Sequence, residues 1–267
     1  MTTEKFDRHA QLAAARAALA ASGKSPRELA LEARQNVLQW IYRWGFTSTA
    51  ILSDLLDKSA GVTVKRLVDQ GWLRSTKTRS GTPTAFITLS EQGHEEAIRH
   101  ADTLLPYPEL DPYRINQALL RHNLLTQQLT CRSWMNNEIM GFQTEKELSC
   151  EGDQPNVKRP DAVWQDAGSL IAVEVELSAK WDRDLDQFIM GVILALQEGE
   201  DHLSRYDKFL IFSDSAAILS RYKTSMSAGT PLNLWKKNSR GHWEITKTVE
   251  VPEWLAGWVE FRMIEDL

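Results

Sequence analysis

Three carboxylates and a lysine follow one another closely in the second half of the chain. Asp161 stands directly after a proline in Arg159–Trp164, and Glu174, Glu176 and Lys180 come shortly after it. Carboxylate oxygens are the ligands that hard cations such as Mg2+ and Mn2+ prefer. A lysine ammonium beside them can contact a phosphate and stabilise the charge that develops there. These residue types indicate metal-assisted cleavage of a phosphodiester.

Strand alternation explains how the glutamates come to share a surface. Over residues 169–177 apolar side chains alternate with Glu174 and Glu176, and successive side chains of a strand point to opposite faces. We therefore expect one face of this strand to be core and the other to be acidic. In a simpler alternative, the glutamates form the solvated face of an edge strand and Lys180 is a surface lysine.

A turn brings the third carboxylate to this strand. Asp166–Gly168 allows the preceding strand, Asp161–Trp164, to fold back, so that Asp161 approaches Glu174. Carboxylates this close repel each other unless a cation neutralises them. Asp161 and Glu174 are therefore the predicted metal ligands, with Mg2+ or Mn2+ as the predicted cofactor.

Composition is that of an ordinary globular protein. Of the 267 residues, 42% are hydrophobic and 25% are charged, which suits one large or two modest domains. No apolar run is long enough to span a bilayer, and the N-terminus lacks the apolar core of a signal peptide. We expect a cytoplasmic protein without membrane insertion. The spacing of Cys131 and Cys150 indicates neither a disulfide framework nor a structural zinc site.

The net charge of −5 is distributed unevenly between the two halves of the chain. Residues 1–105 contain 14 Lys and Arg against 11 Asp and Glu, whereas residues 106–267 contain 17 against 25. The first half is thus net basic, as suits nucleic-acid binding, and the candidate carboxylates lie in the net acidic half.

The order of elements in the first half is typical of a winged helix-turn-helix. Ser25–Glu28 has serine, proline and glutamate at the spacing of a capping box and opens the first helix. We predict a second helix over about Thr49–Asp57, a third capped by Thr63, a hairpin that includes Ala85–Thr88, and a fourth helix that Ser90 begins. In this arrangement the third helix enters the DNA major groove and the hairpin is the wing.

Basic side chains gather on the third helix and the hairpin. Between Lys58 and Ser80 the only acid is Asp69, and such a surface is the footprint of phosphate contacts. The alternative is a winged helix that contacts proteins. We predict a first domain over residues 1–105, with an amphipathic N-terminal helix and this DNA-binding unit, and a second over residues 106–267. The predicted DNA-binding residues are Lys58, Lys65, Arg66, Arg74, Lys77 and Arg79.

Helices and strands both occur in the second half. The predicted elements are, in order, a proline-rich linker over Pro106–Pro112, a helix over about Tyr113–Asn136, a strand over Phe142–Leu148, the strands with Asp161 and Glu174, a helix over about Asp184–His202, a strand over Lys208–Ser213, and an antiparallel pair near Leu232–Lys236 and Trp243–Lys247 that extends the sheet.

This order and its motifs resemble a known family. Pro-Asp on the second strand and Glu-x-Glu on the third resemble the PD-(D/E)xK core of restriction-endonuclease-like proteins. Behind a winged helix, Arg159–Ala162 and Val173–Lys180 are similar to the corresponding motifs of replication-relaxation proteins and of plasmid mobilisation relaxases of the MobC type. The resemblance covers about residues 25–215. It implies an α+β or α/β fold, with a winged helix followed by a mixed sheet flanked by helices.

The resemblance also implies an activity and partners. It implies a relaxase that nicks DNA at a plasmid or integrative-element transfer origin during conjugative mobilisation, with a divalent cation as cofactor. The implied partners are the origin DNA, an accessory mobilisation protein and a secretion coupling protein. The alternative function is a winged-helix regulator or replication accessory protein that binds DNA without cutting it. The sequence specifies neither the DNA target nor the oligomeric state.

One position departs from the pattern of this family. The usual core has a lysine two residues after the acid of the third strand, and this chain has Glu176 there. Either Glu176 replaces that lysine, or Lys180 reaches back. We favour Lys180 acting with Asp161 and Glu174, and Glu176 as a further ligand or a residue behind the ligands. If neither side chain completes the site, the domain is inactive.

Other polar side chains are candidates for accessory parts. They are His122 and Asn123 on the long helix, Glu145 on the first strand, and Tyr206 after the core motifs. A lone histidine is more often structural than catalytic, and Tyr206 and Tyr222 are more often packed than nucleophilic. No His-x-His spacing is present for the metal site of a tyrosine-dependent relaxase. Hydrolysis is therefore the favoured chemistry, with a tyrosine nucleophile as the alternative.

Overall fold

A computed structural model describes residues 23–105, 110–150, 157–197 and 204–264. These residues form a mixed α+β structure in which helices cover a five-stranded mixed sheet. The amphipathic helix predicted for about the first twenty residues lies outside the described residues. Within the described ranges, no helix combines the length and the apolarity needed to cross a membrane.

The first part consists of four helices and a hairpin. Helix α1 (Pro26–Trp44) begins with the predicted capping box, in which Ser25 Oγ accepts from the Glu28 amide at 3.2 Å and Glu28 Oε2 accepts from the Ser25 amide at 2.7 Å. The elements that follow are α2 (Thr49–Leu55), α3 (Gly61–Asp69), β1 (Leu73–Lys77), β2 (Ala85–Leu89) and α4 (Glu91–Arg99), the last with the predicted Ser90 cap.

Helix α3 begins earlier than the sequence predicts. Its first residue is Gly61, and Ala60 occupies the N-cap position without a side-chain hydrogen bond. The Ala60 amide instead donates to the Ser53 hydroxyl at 3.0 Å, a contact with the preceding helix. The predicted Thr63 cap is therefore wrong, because the turn between α2 and α3 sets where the helix begins.

The second part contains the larger sheet. Its elements are, in chain order, a 3-10 turn at Pro112–Arg114, α5 (Leu120–Met135), β3 (Gly141–Thr144), α6 (Glu145–Cys150), β4 (Ala162–Asp166), β5 (Ser169–Val175), α7 (Asp182–Leu196), β6 (Lys208–Ser213), α8 (Ala216–Ser225), β7 (Pro231–Lys237), β8 (Trp243–Glu250), a 3-10 turn at Glu253–Gly257 and β9 (Val259–Met263).

Strand β5 lies in the middle of the sheet. The strand order is β3-β4-β5-β6-β9, in which β3, β4 and β5 are antiparallel neighbours and β5, β6 and β9 run parallel. The turn between β4 and β5 is tight. Ala167 and Gly168 have φ angles of 45° and 90°, as the two central residues of a type I′ hairpin turn require. This hairpin fixes the register between the two carboxylate strands.

Helix α5 is shorter than predicted. It begins at Leu120 rather than near Tyr113, because Pro112–Arg114 form a separate 3-10 turn. Asn116 then makes a local turn, in which its side-chain oxygen accepts from the Ala118 amide at 3.1 Å. Such side-chain hydrogen bonds compete with helix formation. The proline-rich linker predicted ahead of this helix lies partly outside the described residues, as does the predicted end of α7 near His202.

The strand predicted over Phe142–Leu148 is wrong beyond Thr144. The chain turns into helix α6 there, because the Glu147 carboxylate accepts from the Thr144 amide at 2.7 Å. Arg43 at the end of α1 holds the same carboxylate at 2.6 Å. Glu145 consequently lies on a helix and is exposed, rather than on the polar face of a strand.

Strands β7 and β8 form a hairpin of their own. Among the described residues they pair only with each other, so the prediction that they extend the main sheet is wrong. The hairpin is anchored to α7 instead, where Asp186 accepts from Trp235 Nε1 at 2.8 Å and from Asn233 at 3.2 Å.

Apolar packing covers both faces of the central sheet. Val173 and Phe212 face a core shared with α5 and the first four helices, whereas Ala172 and Ile211 face α7 and α8. The first core continues from α1 to the sheet without interruption, and the Trp40 ring lies 5.4 Å from that of Phe142. The regions before and after Leu105 are therefore joined by one hydrophobic core.

Candidate active site

Asp161 and Glu174 lie close together, Asp161 just ahead of β4 and Glu174 on β5. Ala162 of β4 lies opposite Val173 of β5, and the Asp161 amide also donates to the Val173 carbonyl at 3.0 Å. The Asp161 carboxylate in turn accepts from the amide of Val175, the residue after Glu174, at 2.8 Å. The structure brings these two predicted residues together at the carboxyl end of β5.

The acidic face of β5 is buried. Glu174 and Glu176 are each 3% exposed, because β5 is a central strand and its acidic face lies under α7. The alternative of a solvated edge strand is therefore wrong. Burying a carboxylate is costly unless it is paired or binds a cation, so the partners of each acid determine what the site can do.

Asp161 is held by a backbone amide and a histidine. Its Oδ2 accepts from the Val175 amide at 2.8 Å and lies 3.2 Å from His122 Nε2. Burial acts to raise the pKa of Asp161, but the hydrogen bond and charge of His122, with the charge of Lys158, outweigh it and place the pKa below its usual range. Asp161 is therefore ionised and fixed in orientation.

Glu174 is paired with Lys158, which the sequence analysis missed. Lys158 Nζ lies 2.7 Å from Glu174 Oε1. Oε2 of Glu174 is buried and has no hydrogen-bond partner among the described residues. Burial, and then the charge of Asp161, raise the pKa of Glu174 despite this lysine. The site thus holds a carboxylate with one unsatisfied oxygen. The only sequence signal for Lys158 is its place beside Arg159 just ahead of the Pro-Asp motif.

Glu176 has two partners of its own. Lys180 forms an ion pair with its Oε1, and the Tyr222 hydroxyl donates to its Oε2 at 3.0 Å. Burial and the neighbouring Glu176 charge raise the pKa of Tyr222, so this tyrosine is neutral and buried. The structure therefore places the predicted Lys180 against Glu176, rather than against Asp161 and Glu174.

One cleft opens onto the acidic cluster, and a second opens onto its lysines. One, of about 390 Å3, is lined by His122, Glu174, Glu176 and Lys180. The other, of about 710 Å3, lies between α7 and the β7–β8 hairpin and includes Lys158 and Lys180 in its wall. A ligand in the first cleft would thus contact the acids, and a ligand in the second would contact the lysines.

Of the remaining candidate residues, Asn123 and Glu145 lie near the site, and Tyr206 lies in the core. Asn123 Oδ1 lies 2.9 Å from His122 Nδ1, and Asn123, Glu145 and Asp161 line a further cleft of about 190 Å3. Tyr206 is buried near the start of β6, where the chain pairs with the amino end of β5. The structure does not bring Tyr206 to the carboxylates.

The carboxylate pair could hold a magnesium ion. Within the described ranges, no group of three or more His, Cys, Asp or Glu side chains is arranged to hold a metal ion. Mg2+ is commonly bound through one or two carboxylates, with waters and substrate phosphates as its other ligands. Asp161 and the unsatisfied oxygen of Glu174 fit that requirement.

The six predicted DNA-binding residues are all exposed. Lys58 precedes α3, Lys65 and Arg66 lie on it, and Arg74, Lys77 and Arg79 lie on β1 and its turn. Lys65 forms an exposed ion pair with Asp69 at 2.5 Å, which costs little to break. The Arg79 amide donates to the Gln117 side chain at 2.8 Å, so the hairpin contacts the segment that leads into α5.

Comparisons of the chain with protein-family models, curated proteins and solved structures returned no match. The geometry of this site and of the basic surface is therefore the basis for assigning a function.

Proposed function

We propose that this chain is a divalent-metal-dependent DNA endonuclease. The observation that carries the proposal is the neighbouring pair of carboxylates, the partly buried Asp161 and the buried Glu174, which lie beside two lysines and open clefts. Buried acids in a cleft with shifted pKa values are typical of functional sites.

The order of elements supports a PD-(D/E)xK fold for the second part. Helix α5, strands β3, β4 and β5, helix α7 and strand β6 follow the order of that core, although α6 interrupts it after β3. We also propose that α1 to α4 with β1 and β2 form a winged helix. The exposed basic residues of α3 and β1 support a role for it in DNA binding.

In this proposal Asp161 and Glu174 hold the metal, and the residues around them prepare the site. When bound, Mg2+ or Mn2+ supplies a Lewis acid and lowers the pKa of water at the phosphodiester. His122 and the Val175 amide keep Asp161 charged and oriented. The lysines beside Glu174 and Glu176 supply positive charge where the attacked phosphate becomes more negative.

The narrower proposal, from the resemblance of the motifs, is nicking of one strand at a transfer origin during conjugative mobilisation. Origin DNA would be bound by the basic surface, and an accessory mobilisation protein and a secretion coupling protein would be partners. The burial of Tyr222 and the distance of Tyr206 from the acids favour hydrolysis over attack by either tyrosine.

Nicking of supercoiled plasmid tests the proposal. With Mg2+ or Mn2+ and a plasmid that carries the origin, we expect conversion to open circles. Asp161→Asn and Glu174→Gln should each slow conversion by about 100-fold or more. The exposed Asp166→Asn and Glu250→Gln are matched controls and should nick normally. Equal nicking by wild type and both site variants would refute the site assignment.

A DNA-binding regulator without cleavage is the second candidate. One observation favours it: Lys158 and Lys180 already pair with Glu174 and Glu176, as in a purely structural cluster. Origin binding without conversion in either metal, by protein shown to be folded, would support the regulator over the nuclease.

A further inference from the structure

Both the backbone and the side chain of Lys158 make contacts that hold it in the acidic cluster. Its backbone amide donates to the Gly191 carbonyl of α7 at 3.1 Å, which fixes the segment ahead of β4 against that helix. Its ammonium reaches Glu174 at 2.7 Å and donates to the Arg159 carbonyl at 2.8 Å. The Phe188 ring lies 5.8 Å from the same ammonium. The side chain is therefore positioned by the fold.

The lysine neutralises only one side of the carboxylate pair. It contacts Oε1 of Glu174, whereas the buried Oε2 has no hydrogen-bond partner among the described residues. Asp161 lies beside Glu174, because its Oδ2 accepts from the amide of the next residue, Val175, at 2.8 Å. A divalent cation bound by both acids would lie close to the ammonium, and two positive charges at such a distance in a buried site repel strongly.

Lys158 also has room to move. It lines the cleft of about 710 Å3 between α7 and the β7–β8 hairpin, and a lysine has a flexible four-carbon stem. Lys180 is differently placed, because it pairs with Glu176 and its backbone carbonyl accepts from Arg221 at 3.0 Å. Of the two lysines, Lys158 is the one that contacts a proposed metal ligand.

We propose that Lys158 is the resident counter-ion of Asp161 and Glu174, that a divalent cation displaces it, and that the displaced ammonium then contacts the scissile phosphate. Lys158 would thus supply the lysine that is absent at position 176. The displacement concerns cation binding alone, whereas the phosphate contact rests on the proposed endonuclease function.

Calorimetric titration with Mg2+, in the absence of DNA, tests the displacement. Lys158→Met keeps the stem but removes the charge, and should bind Mg2+ about tenfold more tightly than wild type. Lys158→Arg keeps the charge and can pair in a bidentate manner, so it should bind Mg2+ more weakly than wild type. Adding Glu174→Gln to Lys158→Met should abolish the gain. Lys208→Met, which removes a lysine paired with Glu260, is the matched control.

The outcomes separate the inference from the proposed function. Mg2+ affinity of Lys158→Met equal to or below that of wild type, or no measurable binding by either, would overturn the displacement. If Lys158→Met does not fold, Lys158→Arg decides: undiminished Mg2+ affinity overturns the inference. At saturating Mg2+, undiminished nicking by Lys158→Met would overturn the phosphate contact. If wild type does not nick but the affinities change as expected, the endonuclease proposal fails and the displacement stands.

Discussion

The pairing of His122 with Asp161 makes the stability of the site depend on pH. Burial lowers the pKa of His122, but the hydrogen bond and charge of Asp161 outweigh burial and raise the pKa to about 9. The folded-state pKa thus lies above the unfolded value of about 6.5. Charged His122 therefore stabilises the fold fully below about pH 6.5, and this contribution is lost as the pH rises through about 9.

We expect His122→Gln to remove this pH dependence. In EDTA, the free energy of unfolding of wild type should exceed that of the variant by on the order of 2 kcal/mol at about pH 6, and by much less above about pH 9. Urea denaturation across this range measures the difference. His242→Gln, at an exposed histidine, is the control. A difference that stays constant with pH would contradict the ion pair.

The position of Lys158 is a part of the site that the sequence does not predict. The positions of Asp161 and Glu174 follow from strand alternation and a short turn, both of which are local. The position of Lys158 depends on its hydrogen bond to Gly191 of α7, a contact that no local pattern indicates. The pairing of Lys180 with Glu176, rather than with Glu174, likewise depends on how the chain leaves β5.

At the scale of elements, α3 and β1 present basic side chains to solvent, and we expect them to bind phosphates. Arg66→Gln and Lys77→Gln should each weaken binding to origin and unrelated duplexes alike, and each should reduce the slope of log affinity against log salt by about 0.9. Fluorescence anisotropy between about 50 and 200 mM salt measures both effects. Lys223→Gln, on α8, is the control and should leave the slope unchanged.

Helices and strands that short sequence patterns determine were predicted correctly, whereas an element that depends on a contact distant in sequence was not. The capping box of Ser25 and Glu28 and the apolar strand Lys208–Ser213 were predicted correctly, since short patterns determine them. The strand predicted through Leu148 failed, although residues alternate there. Arg43 of α1 pairs with Glu147, far away in sequence, and the Glu147 carboxylate ends the strand by capping α6.

At the scale of the whole molecule, we expect the shared core to make the two parts unfold together. Phe142 of β3 packs against Trp40 and Trp44 of α1, so its side chain touches both parts. Phe142→Ala should lower the free energy of unfolding by about 3 to 5 kcal/mol and shift one common transition. Urea denaturation followed by circular dichroism and by tryptophan fluorescence measures it.

The exposed Val62→Ala is the control for this prediction, because Val62 is 83% exposed on α3 and contributes little to the core. Two separate transitions in the Phe142→Ala variant, one for each part of the chain, would contradict a core that stabilises both.

The contact between the β1–β2 turn and the segment leading into α5 has a consequence for where DNA would be cut. Arg79 touches Gln117, and shortly after it in the chain His122 touches Asp161. Through these contacts and the shared core, the basic surface that we propose binds DNA and the acids that we propose cut it are held at a fixed separation. The number of base pairs between the bound sequence and the nick would then be fixed. Bases between the gripped sequence and the nick could vary, but their number could not, since half a helical turn of extra DNA, about five base pairs, would turn the target bond to the far side of the duplex.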